Sequence, residues 1–400
     1  MNFTFGLFGI LFLILLWLTL DYHLGRRNHL KTLYPPHAPK RHSHIEIFTD
    51  GELLFKDYFD ELKRARKHIH ILFYIAKNDS FSKEFFNILM QKAKEGVEVR
   101  LMLDWLGSFS VDRKIIKKLK EAGGQFTFSQ VPRLPFLFYT SQVRNHRKTT
   151  VIDGKVGYIG GYNIGKEYVN KDEKLSPWRD YQLKIKGEGI IDLQKELLTN
   201  WHKNTKINLL QNKAYFPETE PGPIEHEIIP AEATIQENTF LNLISSAKET
   251  IMIGTPYFIP SPKIFHALLK AIKRGVAIKI LVPKNADHIL VQEASFPYLR
   301  RLLKEKVQVY QFSKGFYHAK TLLIDDRVCD IGTANFDKRS FFLNYEINCY
   351  MYDKNFIQLA KETIEKDIKD SKLLSLEELT KPNLWRSTKE KLASIFSNFK

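Results

Sequence analysis

Residues 146–153 read HRKTTVID, and residues 318–325 read HAKTLLID. A glycine and an asparagine follow each stretch at the same distances: Gly160 and Asn163 in the first copy, Gly332 and Asn335 in the second. The two histidines are 172 positions apart (318 − 146), and so are the two asparagines (335 − 163). Two five-point matches in one register predict an internal duplication that carries one functional motif in each half.

The spacing within each motif fits a strand followed by a tight turn. The two-residue alternation of a strand places His146 and Lys148 on one face. Residues 153–155 and 325–327 then resemble turns that lead into short second strands. Asp153 and Asp325 therefore have two interpretations, as catalytic carboxylates or as caps of these turns, and the sequence leaves both open.

Paired histidines suit chemistry on a phosphodiester. Negative charge grows on the phosphoryl oxygens as phosphorus is attacked, so cations and amide donors must be aimed there beforehand. The residues of the motif that fit this role are Lys148, Lys320, Asn163 and Asn335. An imidazole with a pKa of about 6.5 can attack as the neutral base or donate a proton when charged. The sequence therefore predicts His146 and His318 as a nucleophile and proton carrier pair.

The fold class follows from alternating helix and strand patterns. Residues 55–67, 68–76, 83–95 and 97–103 read as helix, strand, helix and strand, and the same order returns at 238–248, 250–255, 262–274 and 276–282. This alternation predicts an α/β protein of two duplicated domains with mixed, largely parallel sheets. The Pro-rich segment 216–226 reads as a linker between a first repeat at 45–215 and a second at 227–400.

The amino terminus predicts a membrane anchor. Residues 3–20 form 18 consecutive uncharged, mostly apolar positions, about the minimum for a membrane-spanning helix. A cleavable signal peptide is the alternative, but basic residues follow the run rather than precede it. We expect an uncleaved anchor at 1–20, a tether at 21–44, and catalytic domains on the cytoplasmic side of the cell membrane, because basic flanks stay inside.

Composition narrows the class of partner. The formal charge of +16 favours an acidic partner, either nucleic acid or anionic lipid headgroups. The two cysteines, Cys329 and Cys349, lie in apolar runs and predict buried free thiols in a reducing compartment. No spacing typical of a metal site occurs, so neither a metal nor another cofactor is expected.

The twice-used pattern His-x-Lys-x4-Asp-x6-Gly-x-x-Asn resembles the phospholipase D superfamily, and the likeness is closest to short, single-anchor bacterial cardiolipin synthases. It is carried by residues 145–148 (NHRK), 160–165 (GGYNIG), 178–180 (WRD), 255–260 (TPYFIP), 332–337 (GTANFD) and 339–340 (RS). The resemblance implies that the two repeats pack about a pseudo-twofold axis into one active site. It also implies a covalent phosphatidyl-histidine formed on His146, with His318 as the acid and later the base.

The resemblance assigns four further site residues. It implies that Asp180 and Glu346 orient the catalytic histidines, and that Gly161 and Thr333 stand where superfamily members place a serine or, in the first motif of cardiolipin synthases, a second glycine. The implied reaction joins two phosphatidylglycerols into cardiolipin and glycerol. Other anionic phospholipids remain possible partners, nucleic acid is not expected because of the anchor, and the oligomeric state is left open.

Alternatives remain for the reaction and for two segments. A phospholipase D-type hydrolase would use the same intermediate with water as acceptor, and an inactive scaffold would have lost motif residues that are intact here. The apolar loop 131–139 precedes the first motif and predicts either a membrane contact or a part of the core. The basic tail 373–400 predicts either an interfacial amphipathic helix or a packing helix.

Overall fold

The amino-terminal apolar run forms one long helix, α1 (Asn2–Lys31). The computed structural model describes residues 2–33, 38–285, 287 and 290–397, and among these only the segment Leu7–Lys31 of α1 is a helix long and apolar enough to cross a membrane. Its apolar side chains are almost entirely exposed, as expected for a helix whose solvent is lipid.

Helix α1 extends well beyond the expected anchor at 1–20. The tether expected at 21–44 is helical as far as Lys31, and residues 41–44 already belong to the first strand. The polar end of the helix is held by contact with the first repeat, where the ring of Tyr22 lies edge-on to that of Tyr139 at 5.7 Å. Residues 34–37 of the expected tether lie outside the described residues.

The first half alternates strands and helices. Asp50, Asp79 and Asp112 each begin a helix by accepting a hydrogen bond from a backbone N–H of its first turn, which is a strong start signal. The elements in chain order are β1 (Arg41–Asp50), α2 (Gly51–Arg64), β2 (His68–Phe73), α3 (Ser80–Lys94), β3 (Glu98–Asp104), α4 (Arg113–Glu121), β4 (Gln125–Ser129), α5 (Leu137–Gln142), β5 (Thr149–Ile152), β6 (Val156–Gly160), β7 (Trp178–Gly187) and α6 (Ile190–Thr205).

The second half repeats this order and adds elements at its end. Ser261 and Asp353 cap two of its helices in the same way. The elements are β8 (Ile224–Ala231), α7 (Ile235–Ser246), β9 (Thr250–Gly254), α8 (Pro262–Lys273), β10 (Ala277–Pro283), α9 (Val291–Lys304), β11 (Gln308–Phe312), β12 (Phe316–Tyr317), β13 (Thr321–Ile324), β14 (Val328–Gly332), α10 (Lys338–Phe342), β15 (Glu346–Met351), α11 (Lys354–Lys369), β16 (Ser371–Leu373), α12 (Leu376–Thr380) and α13 (Leu384–Ser397).

The strands of both halves form one continuous sheet. Its order is β16-β11-β10-β9-β13-β14-β15-β8-β1-β7-β6-β5-β2-β3-β4, with β12 paired to β7. The two halves meet at the antiparallel pair β1 and β8, and the strands on either side follow in matching order. This arrangement fits an approximate twofold axis at the junction, and it confirms the mixed α/β class and the duplication.

Parallel pairing is less common than the sequence led us to expect. Among the strand pairs of the described residues, five are parallel and ten are antiparallel. One cause is that tight turns join β5 to β6 and β13 to β14. Two strands joined by a tight turn form a hairpin, and the strands of a hairpin are antiparallel. Of the five parallel pairs, four join the helix-linked strands β2 to β4 and β9 to β11, and the fifth joins β12 to β7.

Two of the expected domain limits fall within strands. Strand β1 starts at Arg41, ahead of the limit placed at 45. Strand β8 starts at Ile224, inside the segment 216–226 that reads as a linker. Each half therefore contributes its first strand to the central junction of the sheet.

The tail packs on the second half. Arg300 of α9 forms an ion pair with Glu390 of α13 at 2.8 Å, and Ala393 is buried with Ile259 and Ala294. These contacts are those of a packing helix, while Trp385 on the outer face is 72% exposed. Residues 398–400 of the tail lie outside the described residues.

Candidate active site

The histidine of each motif is held by the opposite repeat. His146 lies just before β5, and its backbone N–H donates to the carbonyl of Tyr345 at 2.9 Å. His318 lies just before β13, and its backbone N–H donates to the carbonyl of Arg179 at 2.7 Å. The residues following these two carbonyls are Glu346 and Asp180. The backbone of each half therefore fixes a histidine of the other half next to an acid.

The carboxylates complete this exchange between the repeats. The Nδ1 atom of His146 lies 2.9 Å from the carboxylate of Glu346, and Nδ1 of His318 lies 2.5 Å from that of Asp180. A carboxylate at Nδ1 fixes the ring and leaves Nε2 as the nitrogen for a reacting group. The arrangement provides two imidazoles, each oriented by an acid from the other repeat.

Burial keeps both imidazoles neutral in the unliganded site. It lowers the pKa of His146 to about 4, although the charge of Glu346 acts in the opposite direction. It lowers the pKa of His318 to about 4 as well, with the neighbouring Lys320 adding to the effect. A neutral ring carries the lone pair that a nucleophile needs.

The two acids stay ionised by different means. Burial disfavours the charge of Glu346, but His146, Lys148 and a hydrogen bond from Thr333 more than offset it, and its pKa lies below the usual value. Its oxygens also accept from Ser340 at 2.7 Å and from Asn344 at 3.1 Å. Glu346 is therefore an ionised carboxylate whose hydrogen bonds come largely from neutral donors.

Asp180 is balanced mainly by a cation. Burial again opposes its charge, and Lys320 followed by His318 holds its pKa below the usual value. The Nζ of Lys320 lies 3.4 Å from the Asp180 carboxylate and also contacts the ring of His318. The negative charge of Asp180 is thus shared between two partners.

The lysines lie behind the histidines. Lys148 donates to the carbonyl of His146 at 2.6 Å, and Lys320 donates to the carbonyl of His318. Both are buried, which lowers the pKa of each ammonium. A bound phosphate would restore the preference for the charged form, because an opposite charge raises the pKa of an amine.

One cavity of about 740 Å³ joins the two halves, and both histidines line it. Its wall also includes Asn163 and Asn335, one from each repeat. Tyr74 packs against His146 with ring centroids 4.9 Å apart, and Trp178 packs against His318 at 4.8 Å. These aromatic rings restrict the positions of the two imidazoles, and each imidazole still lines the cavity.

The motif asparagines differ in their contacts. Asn163 accepts from the backbone N–H of Ile75 at 3.0 Å and donates to Tyr168, so its position is fixed. Asn335 donates to Asp337 at 3.3 Å, and its buried Oδ1 has no hydrogen-bond partner among the described residues. A buried amide oxygen without a partner is costly, which makes Asn335 a candidate contact for a ligand hydroxyl.

Gly161 and Thr333 occupy equivalent places with different consequences. A Cβ atom at Gly161 would lie 2.1 Å from the Asp180 carboxylate, so only glycine leaves room for this acid. In the second repeat, Thr333 donates to Glu346 at 2.6 Å. The absent serine of the first motif therefore has a steric reason.

Asp153 and Asp325 are not part of the cavity wall. Asp153 accepts from the backbone N–H groups of residues 66–68 at 2.7–2.9 Å, and Asp325 accepts from those of residues 248–250 at 2.7–2.8 Å. Both clamp the chain where β2 and β9 begin. These contacts favour the interpretation of both aspartates as turn residues that hold neighbouring strands, which is one of the two that the sequence left open.

Several residues around the histidines escaped the sequence reasoning. Tyr74 follows β2, and Ser340 and Asn344 surround Glu346. Tyr74 could have been found from its position, since residues just past the carboxyl ends of parallel strands gather at one edge of a sheet. Trp178, Arg339 and Ser340 stood in quoted motifs without a predicted role, and Asn344, just before β15, carries no such signal.

The fold and the site together define a class of protein. A duplicated αβ unit brings one histidine from each copy, with an acid from the opposite copy, to a shared cavity. This is the two-repeat phospholipase D class of phosphodiester chemistry.

Comparison with known proteins gives the particular family. The family described as "Cardiolipin synthase, PLD-like domain" matches residues 58–179 and 240–368. The minor cardiolipin synthase ClsB of Bacillus subtilis (strain 168) is 40% identical over 380 residues, covering 95% of both chains. A cardiolipin synthase of Clostridium perfringens (strain 13 / Type A) is 36% identical over 363 residues, covering 88% of this chain and 76% of its own. The chain belongs to the cardiolipin synthase family.

A solved structure supports the fold alone. The phosphatidylserine synthase of Haemophilus influenzae Rd KW20 superposes with a TM-score of 0.71 at 16% identity, covering 94% of this chain and 97% of its own. The whole two-repeat body is therefore shared at low sequence identity.

Proposed function

We propose that the protein transfers a phosphatidyl group from one phosphatidylglycerol to the glycerol hydroxyl of another, which yields cardiolipin and glycerol. The observation that carries this proposal is the pair of imidazoles at one cavity, each oriented by a carboxylate of the opposite repeat. Family membership supports the substrate class, because the relatives are named cardiolipin synthases.

In the first step, Nε2 of His146 attacks the phosphorus of the donor lipid. The bond from phosphorus to the glycerol headgroup breaks, and protonated His318 gives its proton to the departing alkoxide. Glycerol leaves, and a phosphatidyl group remains bonded to His146. Charge that develops on the phosphoryl oxygens is balanced by the neighbouring ammonium groups of Lys148 and Lys320.

In the second step, neutral His318 takes the proton from a glycerol hydroxyl of the acceptor lipid. The resulting alkoxide attacks phosphorus, the bond from phosphorus to His146 breaks, and cardiolipin forms. One phosphodiester replaces another, so the reaction needs no separate energy source. Exclusion of water from the intermediate decides between transfer and hydrolysis.

We assign the nucleophile to His146 because of the surroundings of its acid. The imidazole that bonds to phosphorus becomes positively charged, and the Glu346 beside it has hydrogen bonds from neutral groups, namely Thr333, Ser340 and Asn344. Asp180 already interacts with Lys320. The carboxylate with less cationic contact stabilises a new positive charge better.

The proposal includes a membrane setting. In this proposal helix α1 crosses the bilayer once, and the basic residues at its end, Arg26, Arg27 and Lys31, support a cytoplasmic position of the two repeats. The acceptor and the donor then come from the same leaflet.

Product analysis tests the proposal. Purified full-length protein with phosphatidylglycerol vesicles is expected to release one glycerol for each cardiolipin formed. Chromatography of the lipids and an assay of free glycerol give the ratio. Phosphatidic acid as the main product would contradict transfer and indicate a hydrolase, and an unchanged rate after His146→Ala would contradict the mechanism.

A further inference from the structure

The first repeat carries an apolar rim, and the described residues that follow the equivalent strands β10 and β11 of the second repeat include no exposed large apolar side chain. Large exposed side chains follow two adjacent parallel strands, and they define the rim: Leu106 and Phe109 after β3, and Val131, Leu134 and Leu137 after β4. Leu134 is 79% exposed and Phe109 65%. A cluster of this kind on a protein surface indicates an apolar partner.

The rim coincides with the main difference between the repeats. In the first repeat, His68 at the start of β2 and the aspartate that binds its backbone, Asp153, are 85 positions apart (153 − 68). In the second repeat, Thr250 at the start of β9 and Asp325 are 75 positions apart (325 − 250). The first repeat therefore has ten additional residues between these two points, and the apolar loop 131–139 lies within this interval. After β11, by contrast, only residues 313–315 precede the next strand.

The rim is joined to the cavity by short, fixed connections. Ser108 donates to the carbonyl of Tyr74, which lines the cavity, at 3.0 Å. Arg339, another lining residue, donates to the carbonyl of Gln142 at the end of α5 at 2.8 Å. Buried Arg144 binds the carbonyls of Gln130 and Thr140, which close the base of the loop. The rim therefore lies at one side of the cavity mouth.

Helix α1 fixes the height of the rim relative to a bilayer. Asp21 accepts from the backbone N–H of Tyr139 at 2.7 Å, and His29 lies 2.7 Å from the Tyr139 hydroxyl. The contact spans residues 21–29, directly after the apolar part of α1. At about 1.5 Å per residue, these residues reach no more than roughly 15 Å beyond the hydrocarbon layer. If α1 spans a bilayer, this contact holds the rim at the lipid surface.

The charges near this contact fit the same partner. Arg26, Arg27 and Lys31 line a surface depression beside the docked end of α1. Arg26 also lies over the ring of Phe342, the last residue of the cavity-lining helix α10. Basic side chains at this depth attract the headgroups of anionic lipids.

We propose that the apolar rim enters the cytoplasmic face of the bilayer and forms the portal through which a phospholipid reaches the cavity, with its acyl chains lying along the rim. Helix α1 acts as the strut that keeps this portal against the membrane. The inference rests on the proposed function only in requiring a bilayer phospholipid as substrate.

The test compares lipid in vesicles with short-chain phosphatidylglycerol dissolved as monomers. The triple variant Phe109→Ser, Leu134→Ser, Leu137→Ser is expected to lower the ratio of vesicle turnover to monomer turnover at least about tenfold, since apolar contact with the bilayer is lost. The matched control is Leu53→Ser, Ile207→Ser, Leu359→Ser, which removes three exposed apolar side chains that do not line the cavity. An unchanged ratio in the rim variant, or an equal fall in the control, would overturn the proposal.

A second pair of variants tests the strut and does not depend on the rim residues. A Cβ atom at Gly25 would lie 2.6 Å from Cβ of Tyr139, whereas nothing lies within 4 Å of one at Gly9. Gly25→Ala is expected to lower the same ratio, and Gly9→Ala is not. Equal ratios in both variants would refute the role of α1.

The readout keeps the two proposals separate. Portal activity is measured as total phosphatidylglycerol consumed, whatever the product. If the wild type forms phosphatidic acid, the proposed transfer fails while the ratio still tests the portal.

Discussion

At the scale of single residues, the site depends on imidazoles that are neutral when it is empty. Burial lowers the pKa of His146 and of His318 to about 4. A bound phosphoryl group reverses this preference, because its negative charge stabilises an imidazolium. Binding of the substrate therefore favours the protonated imidazole that acts as the general acid in its cleavage.

This reversal predicts proton uptake on anion binding. Between pH 6 and pH 8 both histidines are almost entirely neutral before an anion binds, so formation of an imidazolium beside a bound anion must take a proton from solution. Sulfate binding is expected to strengthen as the pH falls. Calorimetry in buffers of different ionisation enthalpy measures the uptake, and the variant His318→Asn should reduce it. Proton release, or sulfate affinity that does not depend on pH, would contradict the argument.

The sequence predicted the paired histidines and lysines and, through the resemblance, the acids beside the histidines, but not the groups that surround those acids. The motif gave His146, His318, Lys148 and Lys320. The surroundings of the acid Glu346, with Ser340 and Asn344, depend on how α10 turns back toward the cavity. No local pattern encodes contacts of this kind.

At the scale of elements, the hairpins and their clamps position the motifs. Asp153 and Asp325 hold the starts of β2 and β9 against the turns that follow β5 and β13. The sequence predicted these turns and left the aspartates with two roles. The carboxylates bind backbone N–H groups at the start of a neighbouring strand that is distant in sequence, so the local sequence does not reveal this contact.

The clamp predicts a loss of stability. Asp325→Ala removes the acceptor of three backbone N–H groups and should lower the free energy of unfolding by about 1–3 kcal/mol. The matched control is Asp326→Ala, which has the same left-handed backbone and loses only a surface ion pair with Lys361, worth about 0–1 kcal/mol. Thermal or denaturant unfolding measures the difference.

Turnover of the folded fraction decides between the two roles. If Asp325→Ala abolished turnover without lowering stability, the carboxylate would belong to the chemistry and the supporting role would be wrong.

At the scale of the whole molecule, the repeats form one enzyme because each supplies what the other lacks. Tyr345 and Glu346 hold His146, and Arg179 and Asp180 hold His318. Duplication was visible in the spacing, and alternation predicted the α/β class. The continuous sheet and its antiparallel majority were not predicted, since strand order depends on contacts between distant segments. The docking of α1 was missed because its polar end read as a tether.

The central claim is that His146 forms the covalent bond while His318 moves the proton. A phospholipid in which p-nitrophenol replaces the glycerol headgroup needs no acid for its departure. With His318→Ala, it should give a burst of one p-nitrophenolate per protein, and mass spectrometry should find the phosphatidyl group on the peptide that contains His146. The variant His146→Ala should give no burst. A burst without His146, or a phosphatidyl group on another residue, would contradict the account.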